Sequence, residues 1–236
     1  MALSKTRTFF DGLRECLNFW SHERGAPHYT LTLTLSQRER EVKTMNANEV
    51  IETFKRTGAL LEGHFILSSG LHSSIYLQCA IALESTTVAM DFGAAIAERL
   101  KDQQIETVAS PAIGGIVIGY EVARQLRARF IWTEREEGRM TLRRGFAVHQ
   151  GEQTLVVEDV ITTGGSTRET IEALSRAGAK VVAAASIIDR SGGKADVGVP
   201  LFSLASLDVP AVNPAACNLC KRGEPATKPG SRKANV

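Results

Sequence analysis

The sequence predicts an α/β fold built on a doubly wound parallel sheet. Three observations predict it. Short apolar runs alternate with helical stretches along most of the chain. The run Leu155-Val156-Val157 is branched and wholly apolar, as expected of a strand buried in a parallel sheet. That run leads directly into Glu158-Asp159, a turn of small residues and the start of a helix. Such strand–turn–helix links form the ligand edge of open α/β sheets.

The elements follow in order from Asn46. Asn48 can cap a helix to about residue 57, with Val50, Ile51 and Phe54 on one face and Gly58 or Gly63 closing it. Residues 65–67 read as a strand, 68–74 as a small-residue turn and 75–78 as a second strand. Thr86 or Thr87 begins a helix to about residue 101, followed by a strand over 105–109, a tight loop over 111–115 and a helix over 116–127. Residues 130–132 are the next strand. The pattern then breaks over 134–145, where charged residues dominate and Gly138 and Gly145 loosen the backbone. Taken alone this is a solvated hairpin, and the functional alternative is a mobile loop. A helix over 166–177, a strand over 181–188 and a last strand over 201–204 complete the alternation. From Pro210 periodicity fades, and Pro214, Pro225, Pro229 and Gly230 mark an irregular tail able to lie across the body.

Composition bounds the function. With 43% hydrophobic and 23% charged residues, the 236-residue chain is ordinary for a globular protein of one sizeable domain with extensions. No apolar run approaches membrane-spanning length, so no membrane partner is expected. Cys16, Cys79, Cys217 and Cys220 are too scattered for a disulfide scaffold, which points to a reducing, cytoplasmic setting. The net charge of +2 is unevenly spread. Residues 1–44 carry seven Lys/Arg against five Asp/Glu, and 217–236 carry five against one, leaving 45–216 at −4. An acidic body argues against nucleic-acid binding. The chain thus divides into an extension (1–44), a main domain (45–210) and a tail (211–236). The extension lacks sustained periodicity. It is read as disordered or loosely attached, and preferably as the product of an upstream start, with translation beginning naturally at Met45.

The stretch from Leu155 to Thr167 carries the chemistry. Glu158 and Asp159 stand where the strand is expected to end. Thr162, Thr163, Gly164, Gly165, Ser166 and Thr167 then offer backbone N–H groups, hydroxyls and a helix N-terminus, a ready anion site. Gly164 and Gly165 remove Cβ where a backbone must approach a phosphate. Acids beside a phosphate cradle suit a sugar phosphate. The stretch is not a Walker loop, because the Gly-Lys-Ser/Thr element is absent.

This stretch resembles the phosphoribosyl-pyrophosphate motif of type I phosphoribosyltransferases. Phe65-x-Leu67-x-Ser69-Gly70-x-x-Ser73, followed by Tyr76, resembles the N-terminal hood of the orotate phosphoribosyltransferases. Ser110-Pro111-Ala112-Ile113-Gly114-Gly115-Ile116 is similar to their pyrophosphate loop, and Asp189-Arg190 to their orotate-contacting pair. Cys217-x-x-Cys220-Lys221, with the basic segment around Lys228, resembles the tail of one bacterial branch. The resemblance runs from about Ala47 to the end. It implies transfer of a phosphoribosyl group from phosphoribosyl pyrophosphate to orotate with Mg²⁺, in a homodimer whose mobile loop closes over the neighbouring site. It further implies that Glu158 and Asp159 hold the ribose hydroxyls, with Mg²⁺ held by substrate and water near Asp159. Residues Val160 to Thr167 would bind phosphoribosyl pyrophosphate. Thr162, Arg190 and Tyr76 would meet orotate, and Arg135 and Arg139 would serve the departing pyrophosphate.

The chain also departs from that family pattern. Ser68 and Gly114 stand where the best-known bacterial members carry lysines. In the charged loop Glu136 replaces a lysine, Arg139 stands in for another, and Thr141 lies near a histidine's place. Arg143 and Arg144 could supply missing charge. The alternatives are a purine-type phosphoribosyltransferase, or a non-catalytic regulator that senses phosphoribosyl pyrophosphate. Cys217 and Cys220 could form half of a zinc site, completed across a dimer or by a histidine, but two thiolates alone do not fill a tetrahedron, so packed or surface thiols is the preferred reading. His72 is read as a turn or ligand residue of the hood, and His64 and His149 carry no signal.

Overall fold

The computed structural model describes residues 44–67 and 70–229, which fall within one compact unit, Glu41–Val236. The expectations for the extension concern residues outside the described ones, Thr44 excepted.

Helix α1 (Ala47–Arg56) is capped by Asn46 rather than Asn48. Glu49 falls three residues after Asn46 and completes a reciprocal box: Asn46 Oδ1 accepts from the Glu49 N–H at 3.0 Å, and the Glu49 carboxylate from the Asn46 N–H at 2.9 Å. Gly58, at φ 72°, follows the helix end. Strands β1 (Leu60–Ile66) and β2 (His72–Leu77) form an antiparallel hairpin, both longer than the apolar residues alone indicate. A short helix α2 (Cys79–Leu83), which the sequence reading missed, leads to α3 (Thr86–Arg99), capped by Ser85.

The main sheet holds β3 (Thr107–Pro111), β4 (Arg129–Glu136), β5 (Arg139–Leu142), β6 (Gln153–Ile161), β7 (Lys180–Asp189) and β8 (Leu201–Ser206). Its order is β5-β4-β3-β6-β7-β8, parallel except for the β4–β5 hairpin. Helices α4 (Gly115–Leu126) and α5 (Gly165–Arg176) follow β3 and β6. Alternate strand positions fill different cores. Val108, Leu155 and Val157 pack with Phe92, Ile96 and Ile118 of α3 and α4. Ala109, Val156 and Ala184 pack with Leu174 of α5 on the other face. Both faces are therefore buried, which explains the unbroken apolar run at 155–157. The doubly wound parallel sheet is as the sequence predicts.

The charged segment 134–145 continues the sheet. β4 runs to Glu136, Glu137 and Gly138 turn at positive φ, and β5 pairs back antiparallel. Side-chain charge obscured the strand because this edge faces water on its alternate positions. The tail includes a 3₁₀ turn (Pro214–Ala216) and a one-turn helix α6 (Asn218–Lys221). It crosses the hairpin ends: Val212 exchanges backbone hydrogen bonds with His72 at 2.8 Å, and Thr227 with His64 and Ile66 at 2.9 and 2.8 Å.

Candidate active site

Strand order places the site. β3 and β6 are neighbours, but the chain leaves β3 for β4 on one side and leaves β6 for β7 on the other. A crevice opens at the carboxyl ends of such a pair, where connections diverge. The 111–115 loop follows β3, Glu158 and Asp159 lie near the carboxyl end of β6, and the small-residue turn follows it. These segments lie against each other. A Cβ added at Gly114 would come 2.9 Å from Asp159 Oδ1. One added at Gly115 would come 2.8 Å from the Val157 carbonyl and 3.2 Å from Glu158 Oε1. Glycine at both positions lets the loop reach the acids.

The acid pair lies within β6, which extends past it to Ile161, rather than at the strand's end. Glu158 is buried. Burial first, then the adjacent Asp159 charge, pushes the Glu158 carboxyl up to about 9. Burial also raises Asp159, opposed by the Val160 N–H that donates to its Oδ1 at 2.8 Å. Two adjacent carboxyls in one dry site cannot both ionise cheaply, so at neutral pH the pair shares a proton, held mainly on Glu158. Cys79, at the start of α2, is buried nearby. Burial, then the charges of Asp159 and Glu158, hold its thiol well above the ordinary range.

The turn after β6 ends at Gly164, whose φ of 73° suits glycine and starts α5. The N–H groups of Gly165, Ser166 and Thr167 open the helix, where no intrahelical acceptor exists. Thr162 and Thr163 are exposed, Gly165 and Ser166 half-buried, and the Thr167 side chain buried. Arg168 braces the turn, donating from Nη1 to the carbonyls of Thr163 at 2.9 Å and Asp196 at 2.5 Å.

Arg190 follows β7, and its N–H donates to the Ile161 carbonyl at 2.7 Å, joining the β6 and β7 ends. Its Nε is buried without a hydrogen-bond partner among the described residues. Burial lowers its pKa, opposed by nearby Tyr76 and Cys79. An orphaned, directional donor beside Tyr76 has the form of a site for a planar anion. Asp189, by contrast, is buried and accepts from the N–H groups of Ser191 at 2.7 Å and Gly193 at 3.0 Å. Its carboxylate shapes the turn that positions Arg190.

The arginines of the β4–β5 hairpin are largely engaged with other residues. Arg135 pairs with Glu169 of α5 at 2.8 Å and donates to the Gly138 carbonyl at 2.6 Å. Arg143 pairs with Glu134 at 3.5 Å and Glu136 at 3.3 Å, and Arg144 pairs with Glu134. Arg139 is exposed and forms no ion pair among the described residues. The structure thus gathers Glu158, Asp159, the end of β6, the turn from Thr162 to the start of α5, Gly114 and Gly115 at the crevice, and groups Arg190 with Tyr76. The supporting roles of Cys79, Arg168 and Ser191 carried no local sequence signal, since each depends on a neighbour distant in the chain or on a turn.

Residues 83–208 match the phosphoribosyl transferase domain family. The chain is 53% identical over 189 residues to an orotate phosphoribosyltransferase of Caldicellulosiruptor bescii, covering 80% of this chain and 100% of that one. It is 56% identical over 181 residues to that of Thermotoga maritima, covering 77% and 97%. Among solved structures, the orotate phosphoribosyltransferase from Aeropyrum pernix aligns with a TM-score of 0.54 at 28% identity, over 67% of this chain and 93% of that one.

Proposed function

From the premise that this chain belongs to the orotate phosphoribosyltransferase family, we propose that it transfers the 5-phosphoribosyl group of phosphoribosyl pyrophosphate to orotate. The products are orotidine 5′-phosphate and pyrophosphate, a step of pyrimidine (UMP) synthesis. The observation that carries this reading is the acid pair at the β3–β6 crevice, Glu158 buried and Asp159 half-buried, one turn ahead of the α5 N-terminus. Hydroxyls and a phosphate at that separation describe a sugar phosphate.

In this reading Asp159 and Glu158 hold the ribose hydroxyls, and residues 162–167 take the 5′-phosphate on their N–H groups. Thr162 approaches orotate. Arg190 presents its unpartnered Nε to an orotate carboxyl or carbonyl, with Tyr76 alongside. The anomeric C–O bond breaks toward an oxocarbenium-like state, and the protein's tasks are alignment and exclusion of water. Orotate needs no strong base, because its ring nitrogen is already acidic. Arg139, exposed and without an ion pair among the described residues, is the hairpin arginine that has no partner to leave before offsetting pyrophosphate charge. Arg135 would first have to leave Glu169.

The acid pair fits a divalent cation nearby: the two carboxyls are adjacent, and neither forms an ion pair among the described residues that would offset its charge. Mg²⁺ would sit near Asp159, held by substrate oxygens and water, and would supply positive charge against the developing pyrophosphate. A homodimer is supported by an apolar cleft of about 740 Å³, lined by Val117, Tyr120, Phe130 and Trp132 among others. Val117 and Tyr120 are 47% and 59% exposed, apolar positions that a second chain could cover. No helix of the described residues is long and apolar enough to cross a membrane. Free Cys79, Cys217 and Cys220 support placement in the reducing cytoplasm.

The test is product formation from phosphoribosyl pyrophosphate with orotate, adenine and xanthine in parallel. Turnover is expected with orotate alone. No turnover with orotate defeats the reading, and turnover with a purine would move the chain to a purine-type enzyme. Asp159→Asn is expected to lower kcat roughly 100-fold or more, and an unchanged rate would remove Asp159 from the ribose site.

A further inference from the structure

Far from the acid pair in sequence, the hairpin and the tail bring four metal-ligating side chains together. His64 of β1, His72 at the start of β2, Cys217 at the entry to α6 and Cys220 within it each aim one ligand atom at a common point. Those four atoms lie within 4.8 Å of one another. Cys217 Sγ is 3.5 Å from His64 Nε2, and Cys220 Sγ is 3.6 Å from the same atom and 3.2 Å from His72 Nδ1. We infer that this cluster is a structural zinc site, Cys₂His₂, which fastens the tail to the hairpin.

The distances carry the inference. A tetrahedral ion with bonds of about 2.3 Å to sulfur and 2.05 Å to nitrogen sets the S–N edges at about 3.6 Å. The three sulfur–nitrogen separations lie within 0.4 Å of that value. The His64 Nε2 to His72 Nδ1 separation, 2.7 Å, is a hydrogen bond, and an ion would open it by about 0.6 Å. The surrounding contacts orient the ligands as well. His64 Nδ1 donates to the Glu224 carbonyl at 2.8 Å, which leaves the Nε2 lone pair facing the cluster. Backbone hydrogen bonds from Val212 and Thr227 fix the tail beside both histidines.

The ligand set selects the metal. Two thiolates and two imidazoles in a tetrahedral array suit Zn²⁺, whereas carboxylate and carbonyl sites suit Mg²⁺. On binding, both thiols release their protons to solvent and the dication meets two thiolates, so the filled site is neutral. His72 carries its ring proton on Nε2 in that state. His64, His72 and Cys217 are buried, and the exposed Cys220 gives the ion an entry path. Cys217 and His64 are 153 residues apart, so the site closes nearly the whole domain into a loop.

The decisive measurement is metal content of the full-length protein, purified without chelator from zinc-supplemented cells and assayed by mass spectrometry. One zinc per chain is expected. Cobalt(II) in its place should show the visible ligand-field bands of a tetrahedral thiolate site. Chelation should lower the thermal midpoint by roughly 10 °C, restored by Zn²⁺ and not by Mg²⁺. Cys220→Ser, at an exposed position, should keep its circular dichroism and lose the metal. Absence of zinc from reduced protein incubated with Zn²⁺ overturns the inference. So does full zinc content in folded Cys220→Ser, or octahedral cobalt spectra in the wild type. The cobalt spectrum decides the matter even if the serine variant fails to fold. None of these readouts depends on orotate turnover.

Discussion

Glu158 keeps its proton because ionising it would place a second charge beside Asp159 in a dry crevice. Its folded value, about 9, lies above the ordinary carboxyl value of 4.5. Below 4.5 both folded and unfolded chains hold the proton. Between 4.5 and 9 only the folded chain does, so this group costs stability as pH rises through that window. Glu158→Gln removes the cost. Its thermal midpoint should gain on wild type steadily from pH 5 to pH 9, and a constant difference would refute the shared proton. Glu152 behaves oppositely. It is buried at the start of β6, where it accepts from Arg129 at 2.7 Å, from the His149 N–H at 2.6 Å and from Thr107. Burial alone would raise its pKa, but those donors outweigh burial and lower it. Its stabilisation is present above pH 4.5 and lost as pH falls below that. Glu152→Ala should cost about 2–3 kcal/mol in urea unfolding at pH 7, and less near pH 3.

Helix α4 shows how an element is held in place by what is missing from it. A Cβ at Gly119 would come 2.8 Å from the Phe130 ring and 2.0 Å from Ser110 Oγ. Gly119→Ala should therefore cost about 1–3 kcal/mol by overpacking, read as a lowered urea midpoint. Elements whose signals are local were legible in the sequence. The β6–turn–α5 unit could be read because strand, acids, glycines and helix start are contiguous. The β5 strand could not, because its Arg139 and Thr141 pattern answers to solvent at a sheet edge rather than to a core. Asn46 and Asn48 bracket the helix start and offer the same capping group, and the partner Glu49 decides for Asn46. His64 and His72 were illegible as ligands. Their partners lie 148 to 156 residues away, and no local spacing encodes that meeting.

At the scale of the molecule, a homodimer built on the α3–α4 cleft predicts that Tyr120→Glu shifts the sedimentation coefficient to that of a single chain. An unchanged dimer would direct attention to another surface. A protein begun at Met45 should match the full chain in turnover, and a large loss would give residues 1–44 a working role. Charge balance supplies the last consequence. At pH 7.5 the crevice enters a binding reaction carrying a proton on Glu158. In the proposed reaction, a divalent cation arriving with the sugar phosphate would lower the affinity of that carboxyl for its proton, which would pass to the buffer. The heat of ligand binding should then vary with the buffer's own ionisation enthalpy. Titrations in Hepes and in Tris should differ, and the slope of heat against that enthalpy counts the protons released.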